Sequence, residues 1–243
     1  MVMTLMGVSA AWWTVTYVLI IRAGLRDRTY GMPLVALCGN LAWEGIYVMY
    51  PHTGAAWLSN VVWFLLDCVI LGTAVRFGAR EFPWLPRWGF LLGLAATGVM
   101  CWLGMTALIR QFGGVESGGT YAGFVQNLVM SCLFLNMLAG RGTTAGQSMA
   151  IAVGKLLGTA FASVAAYLWL SDGTVTPGPL LPYMFVAILV LDLTYLAALY
   201  AVGRRARLAA RTGRRRDGGG DPAPGGAYRS RSRRTADGQS AGH

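Results

Sequence analysis

LPYMFVAILVLDLTYLAALYAV, residues 181–202, is an apolar run of 22 residues that carries a single charge, Asp192. A hydrocarbon core of about 30 Å is crossed by about 20 helical residues, each rising about 1.5 Å. The run therefore reads as a transmembrane helix with a carboxylate near its middle. At that depth a carboxylate costs roughly 2.5–3.5 kcal/mol on insertion scales, so it is paired, protonated or functional. Two more runs share the pattern. MPLVALCGNLAWEGIYVMY, residues 32–50, holds Glu44, and WLSNVVWFLLDCVILGTAV, residues 57–75, holds Asp67.

Working outward, the chain up to residue 203 resolves into seven such spans: 3–21, 32–50, 57–75, 88–109, 120–139, 147–170 and 181–202. Short connections imply antiparallel neighbours. The expected fold is an all-α integral membrane protein, a seven-transmembrane-helix bundle. Composition agrees: 55% of residues are hydrophobic and 12% charged, against about 25% charged in soluble domains. A soluble helical protein would show charged faces on its helices, and these spans show none.

Arginine placement sets the orientation. The first, third and fifth connections hold Arg22, Arg26, Arg28, Arg76, Arg80, Arg87 and Arg141, whereas the second, fourth and sixth hold only Arg110. The positive-inside rule puts the N-terminus outside and the C-terminus in the cytoplasm. The expected location is the cell membrane, crossed several times. The first span lacks a basic n-region and a clear cleavage site, so it is expected to be retained.

Residues 1–203 are expected to form the catalytic membrane domain. Residues 204–243, rich in Arg, Gly, Pro and Ser, are expected to be a disordered cytoplasmic tail. Its arginines suit an anionic lipid surface, and lipid is the expected partner of this run in place of nucleic acid. Cys38, Cys68, Cys101 and Cys132 lie inside spans without a metal-ligand spacing and read as small packing residues. Gly89-x-x-x-Gly93 and Gly154-x-x-x-Gly158 read as close helix contacts.

Asn40, Glu44 and Tyr47 recur at i, i+4 and i+7, with Trp43 beside them, and so share one helical face. Trp63 and Asp67 are an i, i+4 pair; Asp192 and Tyr195 are i, i+3. Polar groups in lipid face the bundle interior, so the three acids are expected to line one interior site. Lys155, the only lysine, has two readings: it snorkels to the inner surface, or it pairs with a buried carboxylate. Gln126, Asn127, Asn136, Gln147 and Ser148 read as interhelical hydrogen-bond donors and acceptors.

A carboxyl group held in an apolar pocket keeps its proton and can act as a general acid. Inside a membrane the matching substrate is an isoprenoid olefin or epoxide. Protonation makes a carbocation, which aromatic faces such as Trp43, Tyr47, Trp63 and Tyr195 stabilise. Mid-span Trp12 and Trp13 add to that set, while Trp57, Trp84, Trp88 and Trp169 fit an interfacial belt.

Several motifs carry a family resemblance. Met32-Pro33-Leu34 with Asn40-x-x-Trp43-Glu44-x-x-Tyr47, Trp63-x-x-x-Asp67, Gln126-Asn127-x-x-Met130-Ser131, Arg141-Gly142 through Gly146-Gln147-Ser148, Lys155-x-x-Gly158-Thr159 and Leu191-Asp192-x-x-Tyr195 together resemble the membrane-integrated terpene cyclases of fungal meroterpenoid and indole-diterpene pathways and their bacterial relatives. The resemblance covers most of residues 31–203. It implies seven helices and proton-initiated cyclisation of a prenyl chain on a prenylated precursor, with no metal or soluble cofactor. It also implies essential roles for Glu44 and Asp192. Asp67 joins them as a catalytic candidate. Asn40, Trp43, Tyr47, Trp63, Asn127 and Tyr195 are the substrate-binding candidates, and a pathway prenyltransferase is the expected supplier of substrate. The alternative is a proton-coupled small-molecule transporter, since buried acids also carry protons; no internal repeat of the transporter kind is visible. A retinal photoreceptor needs a lysine in the last helix, and this chain has none there.

Overall fold

The computed structural model describes residues 1–50 and 54–217, all helix and connection without a strand among them. His52 and residues 218–243 of the expected tail lie outside the described residues. The chain divides into one unit, Met1–Ala206, and a second, Arg207–His243. The elements are α1 (Val2–Asp27), α2 (Leu34–Met49), α3 (Ala55–Phe77), a 3-10 turn (Gly78–Glu81), α4 (Arg87–Gln111), α5 (Gly114–Arg141), α6 (Met149–Asp172) and α7 (Leu180–Asp217). Six helices are long and apolar enough to cross a membrane. The exception is α2, whose 16 residues span about 24 Å.

Local sequence explains where the helices start and stop. Pro33 precedes α2, and its carbonyl accepts from Leu37 N at 2.9 Å; proline is pre-set for a helix start. Ser148 caps α6 by accepting from Ile151 N at 3.2 Å, which satisfies an otherwise orphan N–H. Gly142 (φ 60°) ends α5 and Gly173 (φ 82°) ends α6, the left-handed residue that closes many helices. At its far end α7 does not stop near Val202. Its helical backbone runs on to Asp217, past the expected boundary at Arg204. Alanine and arginine are among the best helix formers, and ARLAAR prolongs the helix.

In the bundle α1 packs on α6 and α3, and α2 packs on α3, α4 and α5. Half of α2 is buried, which places the Asn40–Glu44 face in the interior. Close approach of α1 and α6 depends on small residues. Ser9 Oγ donates to Gly158 O at 2.7 Å, and a Cβ added at Gly158 would lie 2.8 Å from Trp13 Cδ1. The Gly154–Gly158 expectation therefore holds. Gly93 meets nothing within 4 Å and Gly89 only Leu85 and Pro86 just ahead of it, so that pair joins no helices. Trp84 and Trp88 are exposed as a belt requires. Trp169 instead packs against the Tyr121–Leu181–Met184 cluster.

One end of the bundle is tied together by Arg141. Its guanidinium pairs with Glu81 at 2.9 Å, donates to Tyr30 O at 3.1 Å and to Ala145 O at 2.9 Å, and stacks 4.4 Å from the Tyr30 ring centroid. Thr29 Oγ1 bonds Glu81, and Gly146 N donates to Asp27 Oδ2 at 2.8 Å. The three arginine-rich connections are thus joined directly. Burial and the Glu81 charge push the Tyr30 phenol above its ordinary pKa, so it stays neutral beneath Arg141.

Candidate active site

Glu44 reaches the interior because α2 is central and its polar face is set by the i, i+4 spacing with Asn40. Glu44 is 1% exposed and Asp67, from α3, 0%. Three other side chains complete the set around them. Tyr17 of α1 donates to Glu44 Oε1 at 2.7 Å. Asn40 Nδ2 donates to the Tyr17 hydroxyl. Gln126 of α5 donates to Asn40 Oδ1 at 3.2 Å and to Ala36 O at 2.6 Å. The donors run one way, from Gln126 through Asn40 and Tyr17 to Glu44. This chain fits because position 39 is glycine: a Cβ there would overlap the Gln126 amide.

The chain ends on Oε1, leaving Glu44 Oε2 and both Asp67 oxygens without a donor. The Asp67 carboxyl has the Glu44 carboxyl and the Asn40 amide as neighbours. Among the described residues neither acid forms an ion pair, the pairs being Arg26–Asp27, Arg141–Glu81 and Lys155–Asp192. Two carboxyls side by side in an apolar interior cannot both be ionised, and a proton on Glu44 Oε2 has Asp67 as its acceptor.

Asp192 belongs to a different set, built by α5, α6 and α7. Lys155 Nζ lies 2.7 Å from Asp192 Oδ1 and donates to Ser131 Oγ at 2.6 Å; Ser131 Oγ donates to the same Oδ1 at 2.8 Å. Lys155 and Asp192 are each 1% exposed. Of the two readings of Lys155, the structure shows the ion pair. One turn along α5 and α6, Asn127 Nδ2 donates to Thr159 Oγ1 at 2.7 Å. One turn along α7, Tyr195 donates to Gln147 Oε1 at 2.9 Å and its ring stands 5.4 Å from Phe134. Among the described residues Asp192 Oδ2, Asn127 Oδ1 and Gln147 Nε2 have no hydrogen-bond partner.

Glu44 and Asp67 therefore adjoin, and Asp192 stands with Lys155. The two sets face the same core: Tyr17, Met130, Phe134 and Tyr195 belong to one cluster, with Trp13 and Trp63 packed against it. Helix α5 serves both, through Gln126 on one side and Asn127 and Ser131 on the other. Trp13 makes an edge contact with Tyr17 at 5.9 Å, and Trp63 donates to Thr14 Oγ1 at 3.0 Å. Trp43 and Tyr47 point their polar tips at α5, donating to Gly119 O at 3.0 Å and Val115 O at 2.8 Å, with their rings 4.3 Å apart.

Tyr17 is the site residue that sequence reasoning missed. A tyrosine in an apolar span passes for packing, and its partners lie on another helix. Its signal was a hydroxyl deep in span 3–21, which needs a partner when buried.

Comparison with known proteins identifies the family. Residues 1–205 match the model of the Pyr4-like transmembrane terpene cyclases. The chain is 30% identical over 195 residues to the Pyr4-family terpene cyclase mfmH of Annulohypoxylon moriforme, covering 75% of this chain and 78% of that one. It is 32% identical over 216 residues to terpene cyclase esdpB of Penicillium shearii, covering 84% and 86%. Against terpene cyclase pyr4 of Aspergillus fumigatus the identity is 26% over 205 residues, covering 79% and 83%. No solved structure matches. With a family match over nearly all the described helices, and buried carboxyls at their centre, the chain belongs to the Pyr4-like transmembrane terpene cyclases.

Proposed function

We propose that this terpene cyclase starts its reaction by protonating the end of a prenyl chain, olefin or epoxide, on a prenylated natural-product precursor, and that Glu44 is the proton donor. The observation that carries the reading is the buried Glu44–Asp67 pair, which among the described residues has no ion-pair partner and leaves Oε2 without a donor. A neutral carboxyl group in an apolar surround is a general acid placed where a lipid-soluble substrate arrives. Tyr17 fixes Oε1 as an acceptor, so the transferable proton belongs on Oε2. Asp67 accepts from that oxygen until substrate replaces it.

Transfer breaks the Oε2–H bond and forms a bond to an alkene carbon or the epoxide oxygen. Successive alkenes then donate their electron pairs to close rings. The cation meets aromatic faces, Trp13, Trp63 and Tyr195 among them, which stabilise it by about 0.5–2 kcal/mol each. Trp43 and Tyr47 serve substrate binding by fixing α2 against α5, and Asn127 offers Oδ1 to the substrate's polar head. The seven helices all cross the cell membrane in this reading, α2 as its shortest member, with the N-terminus outside. Residues 1–203 hold the catalytic machinery. Arg204 and Arg205, just past the last span, suit anionic lipid on the cytoplasmic side, and a prenyltransferase supplies the substrate.

The test is mass spectrometry of products from membranes containing the protein, fed farnesylated and geranylgeranylated acceptors with and without a terminal epoxide. Cyclised products are expected from wild type and none above background from Glu44→Gln, which keeps the shape of the side chain. A Gln variant that cyclises near the wild-type rate removes Glu44 from the role.

A further inference from the structure

The two carboxylate sets differ in one respect with chemical consequences: one has a buried cation and the other has none. We propose that Lys155, together with Ser131, is a positioning residue that holds Asp192 as an anion. Asp192 is then the group that receives the proton released when cyclisation ends, and not one that starts the reaction. The inference rests on the cyclase reading above and assigns a direction to it.

The geometry around Asp192 is asymmetric. Oδ1 receives Lys155 Nζ at 2.7 Å and Ser131 Oγ at 2.8 Å. Lys155 also donates to Ser131 at 2.6 Å, closing a three-membered set. The single Ser131 proton has Asn127 O at 2.9 Å as its other acceptor, so the lasting grip on Oδ1 is the buried Lys155 ion pair. Among the described residues Oδ2 is buried without a hydrogen-bond partner. A carboxylate is the counter-ion of the buried Lys155 ammonium, and a neutral acid would leave that charge unpaired. Glu44 has the opposite surroundings. Its carboxyl adjoins Asp67, an acceptor, and among the described residues the ion pairs are Arg26–Asp27, Arg141–Glu81 and Lys155–Asp192, with neither of these two acids in one.

Lys155 comes from α6 and Ser131 from α5, so Asp192 is gripped from two helices while Oδ2 stays available. A fixed anion facing the shared aromatic core stabilises a passing cation and takes its proton. In the final step a C–H bond next to the last cationic carbon breaks, its electron pair becomes the C=C bond of the product, and the proton bonds to Asp192 Oδ2. Glu44 has meanwhile lost the proton it gave at the start. Return of the Asp192 proton to Glu44 restores the enzyme, and a turnover consumes none.

Two measurements test this. The infrared difference spectrum between wild type and Asp192→Asn in membranes, substitution of one isostere for another, should lose the bands of an ionised carboxylate. Loss of a protonated carboxylic carbonyl band instead overturns the proposal. In product analysis, Lys155→Met should lower cyclisation about a hundredfold and shift the residue of product toward partly cyclised and water-captured species. A rate at or above wild type with an unchanged product means that a released Asp192 acid serves as donor, which also overturns it. Should Lys155→Met fail to fold, the infrared result decides alone. A wild-type protein that cyclises no prenylated acceptor sinks the cyclase reading and the proton-accepting role with it, while the infrared bands still decide the charge on Asp192.

Discussion

Replacing Tyr17 by Phe removes one oxygen and leaves the ring, so no cavity complicates the outcome. The hydroxyl donates to Glu44 Oε1 at 2.7 Å and accepts from Asn40 Nδ2. Both bonds are buried, and Tyr17 is 3% exposed. Each is worth about 1 kcal/mol net, and each partner left unsatisfied costs about 1–3 kcal/mol. Asn40 keeps the bond it accepts at Oδ1 from Gln126, but its Nδ2 loses the Tyr17 oxygen, so the cost falls on Asn40 as well as on Glu44. The expected loss of stability is about 2–3 kcal/mol. The kinetic effect is separable. Without Tyr17, Glu44 Oε1 is no longer committed as an acceptor, and the proton distributes over both oxygens and several rotamers. Loss of orientation equivalent to about 1.4–2.7 kcal/mol lowers the cyclisation rate about 10- to 100-fold. Thermal unfolding of the variant in nanodiscs and product formation at saturating substrate read the two effects independently. A Tyr17→Phe enzyme that loses stability as expected yet turns over within twofold of wild type would refute the orienting role.

Other substitutions probe the scaffold. Gly158→Leu drives a side chain into Trp13, whose ring atom would lie 2.8 Å from the new Cβ, and should cost about 1–3 kcal/mol; Gly93→Ala, which meets nothing within 4 Å, should be neutral or slightly stabilising. The pair is compared by thermal unfolding. Gly39→Ala should displace the Gln126 amide and lower cyclisation about tenfold, read from product yield per folded protein. Arg141→Met leaves Glu81 and the Tyr30 carbonyl without their donor and should cost about 2–3 kcal/mol, measured by thermal unfolding, with the Glu81→Gln/Arg141→Met double variant recovering part of the loss.

How far the sequence carried the fold and the site follows from what periodicity encodes. Asn40 and Glu44 were legible as one face because helical spacing fixes relative angle within a segment. Asp67 was legible because an acid in lipid needs a reason to be there. Neither rule gives the rotation of one helix against another. Lys155 was therefore visible as an anomaly while its partner stayed open, and Asp192, at a depth similar to Asp67, was grouped with it although it stands with Lys155. Trp43 and Tyr47 sit one position and one turn from Glu44, yet their tips are engaged by the α5 backbone. Tyr17 showed no pattern at all, because its partners are residues 27 and 23 positions away. The end of α7 was misplaced since charge marks where lipid stops, and a helix needs no lipid to continue.

The knot around Arg141 has a bearing on traffic. It sews the ends of α1, α3 and α5 to one another through Glu81, Tyr30 and Asp27, so spreading the helices there means breaking an ion pair and several main-chain bonds at once. A greasy molecule with a bulky head has its way in elsewhere, sideways from the bilayer or past the far rim. This seam is then a fixed end of the bundle, and any helix movement that admits a lipophilic substrate falls away from it.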